Sequence, residues 1–159
     1  MMITSFAPIV NSETKILILG TIPGITSLAK QEYYGHPRNH FWTILFQLLD
    51  TMPIPDVFEE KVKTLQNHKI GLWDVLKNCK RQGSLDIHIK KPVENDFEGL
   101  LKKFPSINKI VFNGKESHRY FFKKFGQIQG ITYFVMPSTS PANTMPLEKK
   151  FEIWAQFLS

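Results

Sequence analysis

Short apolar runs alternate with amphipathic stretches along this chain, and that alternation predicts strands and helices in turn. The run from Lys15 to Leu19, closed by Gly20, is typical of a strand buried on both faces and predicts the central strand of a sheet. Three more strands are predicted at 70–76, 109–113 and 131–136. Helical spacing of apolar positions and flanking capping or breaking residues predict helices at 41–49, 56–67, 95–104, 115–125 and 147–158.

Strands that alternate with helices favour a parallel sheet flanked by helices and joined by right-handed crossovers. We therefore predict an α/β fold, a three-layer α/β/α sandwich around a central, mainly parallel four-stranded sheet. Residues 77–95 are polar and basic, and they predict a long loop with a functional role. The length of 159 residues predicts a single domain over 1–159.

The charge balance changes the picture of the partners. Twenty Lys and Arg residues against fourteen Asp and Glu give a formal net charge of +6. This excess favours polyanionic partners such as nucleic acid, although charge alone does not identify one.

Cysteine content and hydropathy bound the environment of the protein. The single cysteine, Cys79, excludes an internal disulfide and any four-cysteine metal site, and we interpret it as an inert thiol. The sequence shows no secretory signal and no apolar stretch of membrane-spanning length. We expect a cytoplasmic protein that does not associate with membranes.

Three polar loops follow or end the predicted strands. They are 20–24 running on to 34–42, then 71–74, then 136–143. Because the carboxyl ends of parallel strands converge on one crevice, these loops are expected to form one pocket. Its aromatic, amide, carboxylate and hydroxyl groups would suit a flat polar heterocycle beside a phosphate.

Several of these residues also have plain structural interpretations. Asn39 could simply cap the helix that follows it, and Asp74 could form a buried salt bridge instead of accepting a hydrogen bond from a ring N–H. His36 and His40 lack carboxylate or cysteine neighbours at ligand spacing, so no metal and no cofactor is predicted.

Two motif blocks carry a resemblance to a known family. Thr21-Ile22-Pro23-Gly24 with Tyr34-Gly35-His36-Pro37-Arg38-Asn39-His40-Phe41-Trp42 forms one block, and Met136-Pro137-Ser138-Thr139-Ser140-Pro141-Ala142-Asn143 forms the other. The chain resembles the uracil-DNA glycosylase superfamily, most closely its hypoxanthine-DNA glycosylase branch. The resemblance implies an enzyme that flips a deaminated base out of DNA and hydrolyses its N-glycosidic bond. No lysine nucleophile is evident, so we expect a monofunctional enzyme, and we expect a monomer without a cofactor.

The resemblance also implies roles for individual residues. Mismatch-type relatives hold the attacking water with an asparagine where this chain has Ile22, and in the hypoxanthine-type branch the catalytic asparagine maps onto Asn39. Tyr34 would stack on the extruded base, Asp74 would read its edge, and Ile22 and Ser138 would line the base pocket. The DNA-contacting residues would be Gly24, His36, Arg38, Ser138, Thr139, Ser140, Pro141, Ala142 and Asn143.

Alternatives remain open at this point. The same pocket could prefer uracil, and Ile22 leaves room for a catalytically inactive nucleic-acid-binding module of the same fold. Ala142 and Met145 are both candidates for the wedge that fills the gap left by a flipped base.

Overall fold

A computed structural model describes residues 1–158 of the chain. The strands are β1 (Met2–Thr4), β2 (Ile16–Gly20), β3 (Ile70–Asp74), β4 (Leu76–Lys80), β5 (Lys90–Glu94), β6 (Lys109–Asn113) and β7 (Thr132–Met136). The helices are α1 (Ile25–Lys30), α2 (Phe41–Leu48), α3 (Phe58–Asn67), α4 (Phe97–Lys103), α5 (Lys115–Phe125) and α6 (Leu147–Trp154). Within this described part, no helix is long and apolar enough to cross a bilayer.

A parallel four-stranded sheet forms the middle layer, in the order β3-β2-β6-β7. The central position predicted for β2 is confirmed, since Ile18 lies opposite Leu72 on one side and Val111 on the other. A strand with neighbours on both edges and helices on both faces has no solvent-facing side chains, which explains its unbroken apolar run.

Alternate residues of β2 enter two separate cores. Leu17 and Leu19 pack with α4 and α5 residues such as Phe97 and Phe121 on one face. Ile18 packs on the other face with apolar residues of α2, α3 and α6. Because helices cover both faces of the sheet, the predicted three-layer α/β/α architecture is confirmed.

The prediction of a long loop at 77–95 is wrong. This stretch contains β4, a 3-10 turn at Asp86–His88, and β5, and with β1 it forms a second, antiparallel sheet in the order β1-β4-β5. Ile3 of β1 and Leu76 and Cys79 of β4 are buried in a core, whereas β5 is exposed along most of its length. Its Pro92 is tolerated because β5 is an edge strand.

Smaller differences concern element boundaries. The strand predicted at 70–76 ends at Asp74, and Leu76 already belongs to the second sheet. Helix α1 was not predicted, since its six residues offer too few apolar positions for a helical period. The last helix turns into a 3-10 segment at Ala155–Leu158.

Gly71 is required by a close approach of the N-terminal segment to β3. A Cβ on Gly71 would lie 2.6 Å from the backbone oxygen of Ile9, which accepts a hydrogen bond from Leu72 N–H at 3.0 Å. We expect Gly71→Ala to lower the free energy of unfolding by about 1–3 kcal/mol, because the backbone must shift to admit the methyl group. Urea denaturation of both proteins measures this, and a change below about 0.5 kcal/mol would contradict it.

Candidate active site

All four strands of the central sheet deliver polar groups to one edge. Their carboxyl ends carry Gly20, Asp74, Asn113 and the loop after Met136, and these line a cavity of about 380 Å³. This is the edge where ligands bind in open parallel sheets, and the volume suits a small organic group. The predicted convergence of the three loops is therefore observed.

The floor of the cavity is open because residue 20 has no side chain. A Cβ on Gly20 would lie 2.6 Å from Asp74 Oδ1 and 3.1 Å from the Tyr34 hydroxyl. A carboxylate and a phenol thus approach the same point at the end of β2. Any larger residue at position 20 would fill the space between them.

Asp74 is an unpaired carboxyl group in a nearly closed environment. Its side chain is 4% exposed, and Oδ2 is buried without a hydrogen-bond partner among the described residues. The salt bridge considered for it is not formed, since the ion pair found within residues 1–158 joins Arg119 to Glu116. Burial, reinforced by the negative charge of Asp86, raises the pKa of Asp74 to about 7.

Tyr34 is held rigidly beside Asp74. Its ring stacks on Phe41 with centroids 3.9 Å apart and an interplanar angle of 22°. Its backbone adopts the left-handed conformation, with φ at 54°, which is uncommon for a bulky residue. Its hydroxyl is buried without a partner among residues 1–158, and burial and then Asp74 raise its pKa above the ordinary range. The phenol therefore stays protonated and keeps a hydrogen for donation.

Asn39 lines the cavity directly before α2. Its Oδ1 accepts a hydrogen bond from Phe41 N–H at 2.9 Å, at the start of α2. The N-cap of this helix is His40, so the interpretation of Asn39 as the N-cap is wrong. The bond also fixes the orientation of the amide. One lone pair of Oδ1 and the Nδ2 hydrogens remain for a ligand or a water molecule.

The loop 138–143 is held from inside the fold by Asn113. Asn113 Nδ2 donates to Thr139 Oγ1, and Thr139 N–H donates to Asn113 Oδ1, both at 2.9 Å. Asn113 ends β6, and a polar residue at the end of a central strand is the signal that could have identified it from sequence. Its two bonds make it the main anchor of this loop.

Backbone N–H groups of the same loop are largely occupied within it. Ser140 N–H donates to Ser138 Oγ and Ala142 N–H donates to Ser140 Oγ, each at 3.2 Å, and Asn143 N–H donates to the Ser140 carbonyl. These backbone N–H groups are therefore not available to bind a phosphate. The hydroxyl groups accept through lone pairs and keep their hydrogens for an outside acceptor.

A buried lysine, Lys150, contacts both motif blocks. Lys150 Nζ lies 3.2 Å from His40 Nδ1 and 3.4 Å from the Ser140 carbonyl oxygen, and His40 N–H donates to the Thr139 carbonyl. Lys150 is fully buried, which lowers its pKa. Burial and then the nearby ammonium lower the pKa of His40. This contact fixes the loop 138–143 against the segment that carries Asn39.

Replacing Lys150 with methionine tests this contact. We expect the pKa of His40 to rise in Lys150→Met, because a neighbouring positive charge is removed while the aliphatic stem is kept. Titration of the His40 ring by NMR measures the change, and His88, exposed and distant in sequence, serves as the internal control. An unchanged or lower pKa at His40 would contradict the ammonium contact.

The remaining predicted residues fall into two groups. Ile22 is buried against the core and reaches the cavity, as do Gly24 and His36, together with Ser138 to Asn143. Arg38 does not line the cavity and is exposed, with its N–H donating to His36 Nδ1 at 3.1 Å. The structure thus brings the predicted set together with the exception of Arg38.

Sequence reasoning missed one wall of the cavity. Ser84, Leu85 and Asp86, at the tip between β4 and β5, line it together with Phe6. Asp86 Oδ2 accepts a hydrogen bond from Thr21 Oγ1 at 3.0 Å, and Ser84 Oγ accepts one from Ile25 N–H at 2.9 Å. The basic stretch 77–95 carried a functional signal, but it gave no indication of which residues would reach the pocket.

Groups with metal or thiol chemistry do not gather at this site. Among residues 1–158, no three His, Cys, Asp or Glu side chains are grouped so that they could hold a metal ion. Cys79 is buried in the second sheet, where burial raises its thiol pKa, as expected of an inert cysteine.

Comparison with known proteins identifies the family. The model of the uracil DNA glycosylase superfamily matches residues 7–159 of the chain. The chain belongs to the uracil DNA glycosylase superfamily. Relatives of this superfamily named hypoxanthine DNA glycosylase are found in Methanosarcina barkeri, strain Fusaro, and Methanosarcina acetivorans.

Both curated relatives match this chain along most of its length. The M. barkeri protein is 36% identical over 95% of this chain and 94% of its own, and the M. acetivorans protein is 38% identical over 87% and 86%. A solution NMR structure of a candidate uracil DNA glycosylase from M. acetivorans has a TM-score of 0.80 at 35% identity, covering 98% of this chain and 96% of its own. The resemblance seen in the motif blocks is confirmed, and the enzyme class is DNA glycosylase.

Proposed function

We propose that this chain is a monofunctional hypoxanthine DNA glycosylase that extrudes the damaged nucleotide and hydrolyses its N-glycosidic bond. The observation that carries the proposal is the presence in one cavity of Asn39 and of two buried polar groups without partners, Asp74 and the Tyr34 hydroxyl. Buried polar groups are costly to leave unpaired, so such a pair in a cavity favours a polar ligand that completes it. The names of the two curated relatives supply hypoxanthine as that ligand.

Asp74 is suited to reading the edge of hypoxanthine. Deamination of adenine places a ring N–H beside a carbonyl, and a neutral carboxylic acid pairs with that edge through one acceptor and one donor. With a pKa near 7, Asp74 is available in the neutral form at physiological pH. Adenine presents an amine donor and a ring-nitrogen acceptor at the same positions, and a carboxylic acid can turn to match them. This pairing therefore accounts for binding of hypoxanthine and not for rejection of adenine.

Tyr34 and the open floor at Gly20 contribute to the departure of the base. Negative charge develops on the base as the glycosidic bond breaks, and a protonated phenol or carboxyl group aimed at it stabilises that charge. The floor at Gly20 lets the base approach these donors. The Phe41 ring behind Tyr34 prevents the phenol from turning away.

Asn39 would position the attacking water. A sugar with cation-like character needs only a weak nucleophile that is well placed, and an amide fixed by Phe41 N–H provides such a place. The Lys150 ammonium contacts His40 and Ser140 and is therefore not free to attack the sugar. We infer that water is the nucleophile.

The DNA backbone would be held by the loop from Ser138 to Asn143, with Gly24, His36 and Arg38 beside it. Hydroxyl hydrogens of Ser138 and Ser140 are the donors left for a phosphate, because the neighbouring N–H groups are used inside the loop. We propose that the enzyme acts as a monomer.

Base release from defined oligonucleotides tests the proposal. Labelled duplexes with a single hypoxanthine or uracil are incubated with the protein and then treated with alkali, which cuts at abasic sites. Faster cleavage at hypoxanthine supports the proposal, and faster cleavage at uracil would favour a uracil enzyme, since uracil presents the same N–H and carbonyl edge. Binding without release of either base would favour an inactive binding module.

A further inference from the structure

The hairpin between β4 and β5 has a surface that its own fold does not explain. Ile87, in the 3-10 turn at its tip, is 81% exposed, which is the highest exposure of any large apolar side chain in residues 1–158. Leu85, two positions earlier, is 44% exposed and lines the cavity. Exposed apolar side chains beside a binding site are more informative than scattered ones.

The same hairpin pairs like charges across its strands. Lys80 on β4 lies opposite Lys90 on β5, and both side chains are exposed. Like charges directly opposite each other destabilise an antiparallel pair. In the described chain, neither lysine forms a salt bridge that would offset this repulsion. An anionic partner across the two strands would remove the cost.

The tip is fixed to the wall of the cavity. Arg81 is buried, and its guanidinium donates from Nε to the Gly83 carbonyl and from Nη2 to the Pro23 carbonyl, both at 2.7 Å. With the bonds of Ser84 to Ile25 and of Asp86 to Thr21, these contacts hold the tip against the turn after β2. Ile87 therefore directly follows residues that line the cavity, on a tip that is held in place.

We propose that this hairpin is a second DNA-contacting element, in which Ile87 enters the base stack of duplex DNA beside the flipped nucleotide while Lys80 and Lys90 contact adjacent phosphates. The inference rests on the proposed function, because it assumes that the cavity receives a nucleotide from a duplex. An apolar side chain inserted between bases compensates for the stacking lost on extrusion.

The two wedge candidates from the other loop are less suited to this task. Ala142 is exposed but offers a single methyl group, and Met145 is half-buried with its N–H donating to Asn143 Oδ1. Ile87 combines a larger, β-branched side chain with nearly full exposure, so little of its surface is already used in the fold.

Ile87→Ser tests the insertion, with Leu158→Ser as the control. Leu158 follows α6 and is 41% exposed. It lies at the end of the sheet opposite the cavity, since Lys109 Nζ, at the start of β6, donates to the carbonyl of the adjacent Phe157. Under single turnover, we expect Ile87→Ser to release hypoxanthine from duplex about tenfold more slowly than the parent and from single strands within about twofold. Equal duplex rates, or an equal loss on both substrates, would overturn the insertion.

Salt dependence tests the two lysines without requiring catalysis. The binding of a fluorescent hypoxanthine duplex is measured by anisotropy from low to moderate salt. For the pair Lys80→Gln and Lys90→Gln, we expect a plot of log affinity against log salt that is shallower by about 2 in slope. The control pair, Lys123→Gln and Lys124→Gln in the last turn of α5, should keep the parent slope. An unchanged slope in the hairpin variant would overturn the phosphate contacts.

A second optical readout separates this inference from the proposed function. 2-Aminopurine beside the lesion brightens when it is unstacked, whether or not the glycosidic bond is cut. Brightening by the parent and Leu158→Ser but not by Ile87→Ser supports the insertion even if no base is released. Brightening by all three proteins alike would overturn it.

Discussion

Asn39→Ala is expected to slow the release of hypoxanthine by at least about 100-fold under single turnover, while affinity for lesion DNA changes by less than about threefold. The reason is that Asn39 has its amide fixed by Phe41 N–H and its remaining lone pair free in the cavity. Losing the group that places the water removes a contribution made chiefly in the transition state. Quenched-flow excision and anisotropy binding measure the two quantities.

A serine at position 39 separates the role of Asn39 in placing the water from its hydrogen bond at the start of α2. Asn39→Ser can still accept a hydrogen bond near the start of α2, so it should recover most of the stability that Asn39→Ala loses, about 1 kcal/mol. We expect it to be as slow as the alanine variant. Asn67→Ala, at the exposed end of α3, is the control and should excise at the parental rate. If the serine variant regained the parental rate, the role of Asn39 would be only to support the start of α2.

Asp74→Leu is expected to reduce hypoxanthine release by about 100-fold or more, whereas Asp74→Asn should stay active. An asparagine donates and accepts as a neutral carboxylic acid does, so it imitates the protonated Asp74 at every pH. In the parent, whose Asp74 pKa is about 7, we expect the excision rate to fall as pH rises through that value and the carboxylate forms. The asparagine variant should lack this fall. Rate profiles from pH 5.5 to 9 measure it.

Asp74→Asn should also change how the free energy of unfolding depends on pH. Because the pKa of Asp74 is raised from 3.8 to about 7 on folding, the native state binds the extra proton between these values. Its contribution to stability is therefore lost as pH rises from about 4 to about 7 and stays lost above that, at a cost of up to about 4 kcal/mol. Urea unfolding at pH 5 and pH 8 should show a smaller difference in Asp74→Asn than in the parent. An equal difference, or a parental rate that rises with pH, would contradict the neutral carboxyl group.

The parts of the fold that sequence could predict are those where one physical signal dominates. The span 109–113 was predicted as it is observed, because an apolar run between polar residues has few other interpretations. The convergence of loops on one pocket followed from the parallel sheet alone. Motif and topology both placed Asn39, Asp74 and Tyr34 at this edge, and all three line the cavity.

The parts that were missed depend on long-range contacts. Strand β5 has an almost fully exposed pattern, so no periodicity marks it, and its existence depends on pairing with β4. Ser84 and Asp86 reach the cavity only because buried Arg81 ties the tip to Pro23. Local sequence does not indicate such buried hydrogen bonds, since an arginine in a basic stretch is ordinarily exposed.

Four strand ends that are distant in the chain, from Gly20 to the loop after Met136, meet at a single cavity. During synthesis Asn39 leaves the ribosome early. The loop that Asn113 anchors forms only after β7 has joined the sheet. Intermediates without β7 lack one wall and the support beneath Asn39. The complete cavity, and base excision with it, therefore requires the finished sheet.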